Sequence, residues 1–453
     1  MSDNETKSIL DTQIDFSGII KGKTITDYSQ YAAFMAIFIF LVSPILISIP
    51  AMIIRRMDYQ VLYHYLFIHR IIYPASAAFA FVSLILALIV RGRNRKGVKS
   101  FIRDNTPIVL FVLTFMLMLI SLSQNWRENA LILTVPPTRG ESFVMQAANL
   151  VLLFPAASLL RSSRLKLLLF RLFEVASWFL VLAAFILQDQ EKSSLYDGMC
   201  YGFESIYVNT NFYGYVLSLS VPLAAALYVA EKNRSWEVFS FITLVLNTVA
   251  LVINNTMGAW IACIFAAVFM IVVHKIVDKK ISRKVMISIS VFVLTLIITG
   301  VITGKLQYNF LRLFGDLGII AAGENIDSIG SSRGYIWKWT IRFIKENPLF
   351  GIGFEGVAFE PFVETTKNFR PHNEYLQYAL FYGIPAGICY FLGCFSVFLR
   401  GLLYKDEISD MSLVALTSAF GYLVSAFFGL TVYCIAPLMF LMLGMGMHRE
   451  TDK

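Results

Sequence analysis

The feature that most constrains this chain is the recurrence of long uncharged runs. The stretch from Phe34 to Ile49 contains no charged residue and is apolar on every face. Such runs recur near 32–54, 71–90, 107–123, 142–160, 168–187, 212–230, 236–253, 257–274, 285–304, 375–399, 411–430 and 431–447. A helix crossing a bilayer needs about 20 mostly apolar residues, so about twelve spans use about 240. The strands of an outer-membrane barrel alternate apolar and polar positions, which these runs do not. The expected fold class is therefore an all-α polytopic membrane protein with about twelve transmembrane helices. Of the 453 residues, 57% are hydrophobic and only 15% are charged, against roughly 25% charged in a soluble fold. This excludes a soluble globular enzyme, a disordered chain and a nucleic-acid-binding domain. The net charge of +8 reads as the topogenic excess of basic loops, so no nucleic acid is expected as partner. Cys263, Cys389, Cys394 and Cys434 lie in apolar runs and Cys200 in a loop, which makes neither a disulfide framework nor a zinc site. The chain stays polar to about Tyr28 and lacks the pattern of a cleaved signal, so the first span is expected to be retained.

Orientation follows from the short connections. Those at 91–104, 161–171, 231–236 and 275–284 carry 17 Lys and Arg, whereas those at 55–70, 124–141, 188–210 and 254–256 carry 6. The first set is expected in the cytoplasm. The organisation expected is a cytoplasmic N-terminal segment (1–31), spans one to nine (32–304), a large extracytoplasmic loop (305–374), spans ten to twelve (375–447) and a cytoplasmic tail (448–453). The loop far exceeds the roughly 12–15 residues at which an unstructured connection becomes unusual, so it is expected to fold and to carry the chemistry.

Walker, H-E-x-x-H and G-x-S-x-G patterns are missing, and no GxGxxG opens a βα unit. Three blocks stand out instead: Gly330-Ser-Ser-Arg333-Gly-Tyr-Ile-Trp337, Glu346-Asn-Pro348-Leu-Phe-Gly351-Ile-Gly353-Phe, and Phe369-Arg370-Pro371-His372-Asn373-Glu374-Tyr375-Leu376. The last is followed by Gly383-Ile384-Pro385, and an earlier Asn209-Thr210-Asn211-Phe-Tyr-Gly214 precedes an apolar run. In this order the blocks resemble those of the O-antigen ligase and polymerase superfamily of bacterial envelope glycans, over roughly residues 200–400. The resemblance implies a GT-C-like, multi-pass enzyme of the bacterial plasma (inner) membrane, acting on its outer face. The implied donor and acceptor are polyprenyl-diphosphate-linked oligosaccharides. Inversion at the anomeric carbon and no metal or other cofactor are also implied, with chain-length regulator and flippase proteins as partners. Two departures are visible. Residues 196–208 contain no basic residue where family ligases commonly carry an Arg, and Asn255-Thr-Met257-Gly258 stands where Ser-Arg-Gly is common.

The residues themselves suit that chemistry. A diphosphate leaving group calls for charge neutralisation, which an Arg fork supplies through bidentate hydrogen bonds. An acceptor hydroxyl calls for a base, and His serves near ambient pH. His372 is assigned as base and Arg333 as diphosphate clamp. Glu374 is assigned to orient the imidazole or the sugar. Lys305, Arg312 and Arg370 are candidates for a second positive charge, or else ordinary headgroup anchors. Trp337 and Tyr375 are candidates for stacking on sugar, or else interfacial aromatics, and Asn211 and Asn373 are further candidate substrate contacts. Gly351 and Gly353 suit a tight turn. His64, His69, His274 and His448 have no partner pattern. Arg171 and Glu174 are expected to pair on one helix face.

The reading is a polymerase of lipid-linked repeat units. The alternatives are a ligase passing glycan to a lipid or wall acceptor, a secondary transporter or flippase of lipid-linked sugars, and an envelope scaffold. Transporters place their sites at mid-membrane on broken helices, whereas polar residues here gather in one loop. Polymerase is preferred to ligase because Asp197 and Glu204 occupy the region of the family Arg, and acidic groups repel an anionic acceptor. Cysteines placed in 305–374 are expected to react with a membrane-impermeant thiol reagent in whole cells, and cysteines at 95 or 280 to stay unlabelled; the opposite pattern overturns the topology.

Overall fold

The structure is a computed structural model. It describes residues 25–54, 72–91, 105–125, 143, 146, 148–150, 162–188, 203–207, 209–277, 279–323, 326–354, 359–368, 370–403, 408–432 and 435–447. The helices are α1 (Ile25–Ile54), α2 (Tyr73–Arg91), α3 (Thr106–Gln124), α4 (Ser163–Leu187), α5 (Thr210–Ala230), α6 (Arg234–Asn254), α7 (Met257–Val277), α8 (Arg283–Ile302), α9 (Lys305–Ala322), α10 (Ile329–Glu346), α11 (Phe359–Thr366), α12 (Glu374–Tyr382), α13 (Ile384–Leu403), α14 (Asp410–Ser425) and α15 (Ala436–Gly446). No β-strand occurs among the described residues, and nine of their helices are long and apolar enough to cross a membrane: α1, α3 to α8, α13, and α14 with its continuation to Phe428. The chain is thus an all-α polytopic membrane protein. The expected fourth span (142–160) lies largely outside the described residues, as do Asp197, Cys200, Cys434, His64, His69 and His448.

α5 is the hub. Every side chain from Tyr213 to Tyr228 on it is buried, against α4, α6, α7, α8 and α14. Small residues let the backbones close in, since dispersion and not hydrophobicity drives association inside lipid. A Cβ on Gly421 of α14 would fall 2.1 Å from the Ser218 carbonyl oxygen. Ser418 Oγ donates to the Leu219 carbonyl at 2.9 Å, and the Ser218 and Ser425 hydroxyls meet at 3.1 Å.

Short connections make α5 to α8 successive antiparallel neighbours, so their basic turns at 231–236 and 275–284 share one end of the bundle. There Arg171 donates two hydrogen bonds to Glu231, at 2.7 and 2.9 Å, and its guanidinium lies 4.6 Å from the Trp236 ring centre. Lys284 reaches the Glu231 carbonyl at 3.2 Å. The expected Arg171–Glu174 pair does not form. Glu231, arriving from the end of α5, offers a bidentate partner, and Glu174 instead accepts from Ser240 Oγ at 3.0 Å. Lys166 is fully buried and donates to Ser412 Oγ at 3.1 Å and to the Met445 carbonyl at 2.9 Å. It thereby joins α4 to the start of α14 and caps the negative end of α15.

Two expected spans have a different form. α15 has only 11 residues, about 16 Å of rise against the roughly 30 Å hydrocarbon core. Before it, Thr431 and Val432 are buried and lie outside any helix. Irregular backbone at such depth is tolerated where protein covers it. The run 375–399 is broken at Gly383 into α12 and α13. The Pro348–Gly353 segment fills the break: Ile352 and Gly353 donate to the carbonyls of Leu380 and Phe381 at 2.8 and 3.0 Å, and Ile384 donates to Pro348 at 2.8 Å. Gly383 (φ +91°) and Gly351 (φ +66°) make this contact possible, because a Cβ on either would lie within 2.5 Å of backbone across the junction. The tight-turn role read for Gly351 is thus also a close-approach role.

Gly383→Ala combines that clash with a positive φ and is expected to cost at least about 2 kcal/mol. It should lower the melting temperature of the detergent-solubilised protein. Gly315→Ala, whose Cβ meets nothing within 4 Å, should leave it unchanged.

Candidate functional site

Where α5 begins, α6 ends and α7 starts, a cavity of about 850 Å³ opens opposite the basic turns. Its size is in the range of small-molecule sites. α9 and α10 form its far walls, and Thr366, Asn368 and His372 close one side. The start of α5 is fixed by two donors from the α6–α7 turn: Asn254 Nδ2 at 3.0 Å and Thr256 Oγ1 at 3.1 Å both bond the Thr210 carbonyl. Asn209 caps α5 by accepting from the Asn211 amide at 2.8 Å, which leaves the Asn211 side chain on the cavity wall.

Arg333 opens the regular part of α10. Gly330, Ser331 and Ser332 before it are all left-handed, with φ of 60°, 61° and 66°. Serine seldom adopts that region, and such strain gathers at functional sites. Arg333 Nη1 donates to the Gly330 carbonyl at 2.8 Å, while its Nε is buried with no hydrogen-bond partner among the described residues. Arg312 of α9 lines the same cavity and donates to Ser331 Oγ. Asp316, one turn on, accepts from the Gly330 amide at 3.4 Å. Burial draws the Arg333 guanidinium below its ordinary value and Arg312 adds to this, while Tyr215 and Asp316 oppose it.

His372 lines the cavity with a left-handed backbone, φ +52°. It is held on both flanks. Trp337 Nε1 donates to the Pro371 carbonyl at 2.9 Å, and Asn373 caps α12 by accepting from the Leu376 amide at 3.0 Å. Arg333 and Trp337 are four residues apart and share a face of α10, so one helix carries the guanidinium and the indole that fixes the imidazole's backbone. Burial first and the Arg333 charge second push the His372 pKa down to about 4. The ring is therefore neutral at pH 7 and able to accept a proton.

His372, Arg333, Arg312, Trp337 and Asn211 are thus brought together by one cavity; Lys305, Arg370, Asn373, Glu374 and Tyr375 do not line it. Lys305 starts α9, about 10 Å of helix from Arg312. Arg370 is buried among the rings of Phe354, Phe381 and Phe359, 4.9 to 5.9 Å from their centres. Glu374 is buried and accepts from the Tyr390 and Tyr422 hydroxyls. Tyr375 Oη donates to the Leu423 carbonyl at 2.8 Å, which ties α12 to α14. Glu374 and Tyr375 find partners within the fold because α12 begins at Glu374 and turns its first side chains into the bundle.

Asp316, Tyr215, Ser331, Ser332 and Asn368 also line the cavity, and the motif reading missed them. Asp316 had a legible signal as the lone carboxylate of a largely apolar helix, four residues from Arg312. Asn255, Thr256, Met257 and Gly258, the turn that departs from the family pattern, contribute another part of the lining. Among the described residues no group of three or more His, Cys, Asp or Glu is placed to hold a metal ion.

No curated protein matches the chain. The match to a family covers α10 to α12 with Arg312, Arg333, Trp337 and His372, and leaves Asn211 outside. Residues 242–391, about a third of the chain, match the family model described as O-Antigen ligase, which supports the likeness to the O-antigen ligase/polymerase superfamily.

Proposed function

We propose that the protein is a glycosyltransferase of the bacterial plasma membrane that polymerises polyprenyl-diphosphate-linked oligosaccharides on its outer face. The observation that supports it best is a half-buried Arg333 whose buried Nε has no hydrogen-bond partner among the described residues, in one cavity with a neutral His372. The side of the membrane is inferred from charge: the cavity lies opposite the basic turns, which are held in the cytoplasm.

In this reading Nε2 or Nδ1 of His372 takes the proton of an acceptor hydroxyl. The hydroxyl oxygen attacks the anomeric carbon from the face opposite the diphosphate, and the carbon–oxygen bond to the diphosphate breaks. The electron pair leaves with polyprenyl diphosphate, and the anomeric centre inverts. Arg333 and Arg312 hold the departing charge, aided by the positive start of regular helix at Arg333. Two guanidiniums that repel one another across the cavity are preorganised for a dianion, so the stabilisation is delivered where charge develops. Trp337 positions the base through Pro371, and Asn211 faces the sugar side.

The polymerase reading now leans on Asp316. Glu204 is buried and does not line the cavity, whereas Asp316 does and would repel an anionic acceptor over a Debye length of about 8 Å. Ligation gains support from Arg312, which gives the cavity a second arginine despite the missing family Arg. Deletion separates the two. A lost polymerase leaves single repeat units, and a lost ligase leaves long polymer on the lipid carrier.

His372→Ala and Arg333→Ala should each lower turnover about 10²- to 10⁴-fold while expressing normally, in assays run with excess EDTA. Full activity of either variant, or strict dependence on a divalent ion, overturns the mechanism.

The pH dependence has a definite sign. With the His372 pKa near 4, kcat/KM should hold at neutral pH and fall as pH drops through that region. A bound diphosphate offsets Arg333, raises the imidazole pKa and moves the acid limb of kcat to higher pH. Arg333→Gln removes a charge that disfavours imidazolium, so its kcat/KM limb should also move up. A limb that stays in place separates Arg333 from His372.

A further inference from the structure

We infer that α9 is seated with its outer face in the lipid leaflet at the cavity end of the bundle, and that the donor's polyprenyl tail enters the cavity along this helix. The second half of this statement rests on the lipid-linked donor proposed above.

α9 is built inside out for an aqueous surface. Asn309, Arg312 and Asp316 follow helical spacing and form one stripe. That stripe faces the protein: Asn309 is the helix's one buried residue and donates to Asn255 Oδ1 at 2.9 Å, and Arg312 and Asp316 line the cavity. The opposite side carries Gln307 in the first turn and then Phe310, Leu311, Phe314, Gly315, Gly318 and Ala321, with Leu311 67% and Phe314 64% exposed. A water-facing helix turns these faces the other way. A polar inner and apolar outer face is the arrangement of a helix at a membrane boundary, where lipid takes the apolar side.

Continuity with α8 identifies the occupant. α8 crosses the membrane, and its exposed residues near the junction, Ile298, Val301 and Ile302, lead directly into α9. The corner is tight, since a Cβ on Gly300 would lie 2.9 Å from the Leu306 Cβ. Lys305 and Tyr308 stand at that corner, residue types that settle at headgroup depth.

The same helix gives the cavity two kinds of wall. Leu313, Leu317 and Ile320 line it beside Arg312 and Asp316, with Ile261 and Phe428 also on the lining. An apolar strip beside a guanidinium matches a molecule with an isoprenoid tail and a diphosphate head. A wall whose outer surface is lipid provides a path for that tail without passage through water.

The test uses the full chain in nanodiscs of phosphatidylethanolamine and phosphatidylglycerol. Single cysteines replacing Leu311 and Phe314, in a cysteine-free background, carry a fluorophore. Expected is strong quenching by nitroxide-labelled lipid and little by aqueous iodide. Quenching by iodide alone places α9 in water, and protection from both quenchers places a protein against it; either result overturns the inference. In a second arm Leu311→Glu with Phe314→Glu is assayed with donors bearing a long polyprenyl or a short geranyl tail. Expected is a loss of kcat/KM of about tenfold or more for the long tail and less than about twofold for the short one. Equal losses, or no loss, overturn the tail path. Absence of turnover with every donor in the unsubstituted protein would sink the proposed activity instead, and the quenching arm would still decide where α9 sits.

Discussion

Backbone amides and carbonyls inside lipid must find partners within the protein, and this requirement organises the region around Gly383. A continuous helix from 374 to 403 would meet it trivially. The break creates unpartnered groups at the end of α12, and the Pro348–Gly353 segment satisfies them with three backbone hydrogen bonds. Ser121 of α3 adds a hydroxyl that donates to the Phe381 carbonyl at 3.0 Å. The motif thus joins α10, α12, α13 and α3 at one point. Because α12 is separate from the spanning helix α13, its first turn is free to stand at the cavity edge and present His372.

The cavity combines this rigidity with deliberate electrostatic tension. Two guanidiniums and an imidazole share a partly dehydrated space, and Asp316 partly offsets the positive charge. Burial keeps the imidazole neutral and leaves Arg333 underprovided with acceptors. A polar site prepared in this way resists a neutral occupant and favours an anion, since buried charge is costly until it is paired.

Much of this was legible in the chain. Uncharged runs marked each of the nine described helices long and apolar enough to span, although the run 375–399 merged α12 with α13, and the order Arg333, Trp337, His372 identified groups that share a cavity. The misses have physical causes. Glycine occurs in many membrane helices, so Gly383 alone did not announce a break; its meaning lay in the distant Pro348–Gly353 partner. Spacing along one helix suggested Arg171 with Glu174, but tertiary packing supplied Glu231 with better geometry. Glu374 sits in the motif that carries His372, yet a helix start turns it into the bundle, and sequence proximity does not encode that turn. Asp316 and the Asn255 turn reach the cavity through the fold alone.

The indole of Trp337 has one further consequence. It is donated to the carbonyl just before His372, from the helix that also carries Arg333, one turn away. In the proposed mechanism the clamp and the base are therefore mounted on a common lever. In that mechanism a small shift of α10 toward a bound diphosphate would carry the imidazole along the same path, so that the pull on the leaving group and the approach of the base would stay in register. Substitution of the indole by a ring without an N–H donor would cut this linkage. Anion affinity would survive, but grip on the donor and alignment of the proton acceptor would become two independent events.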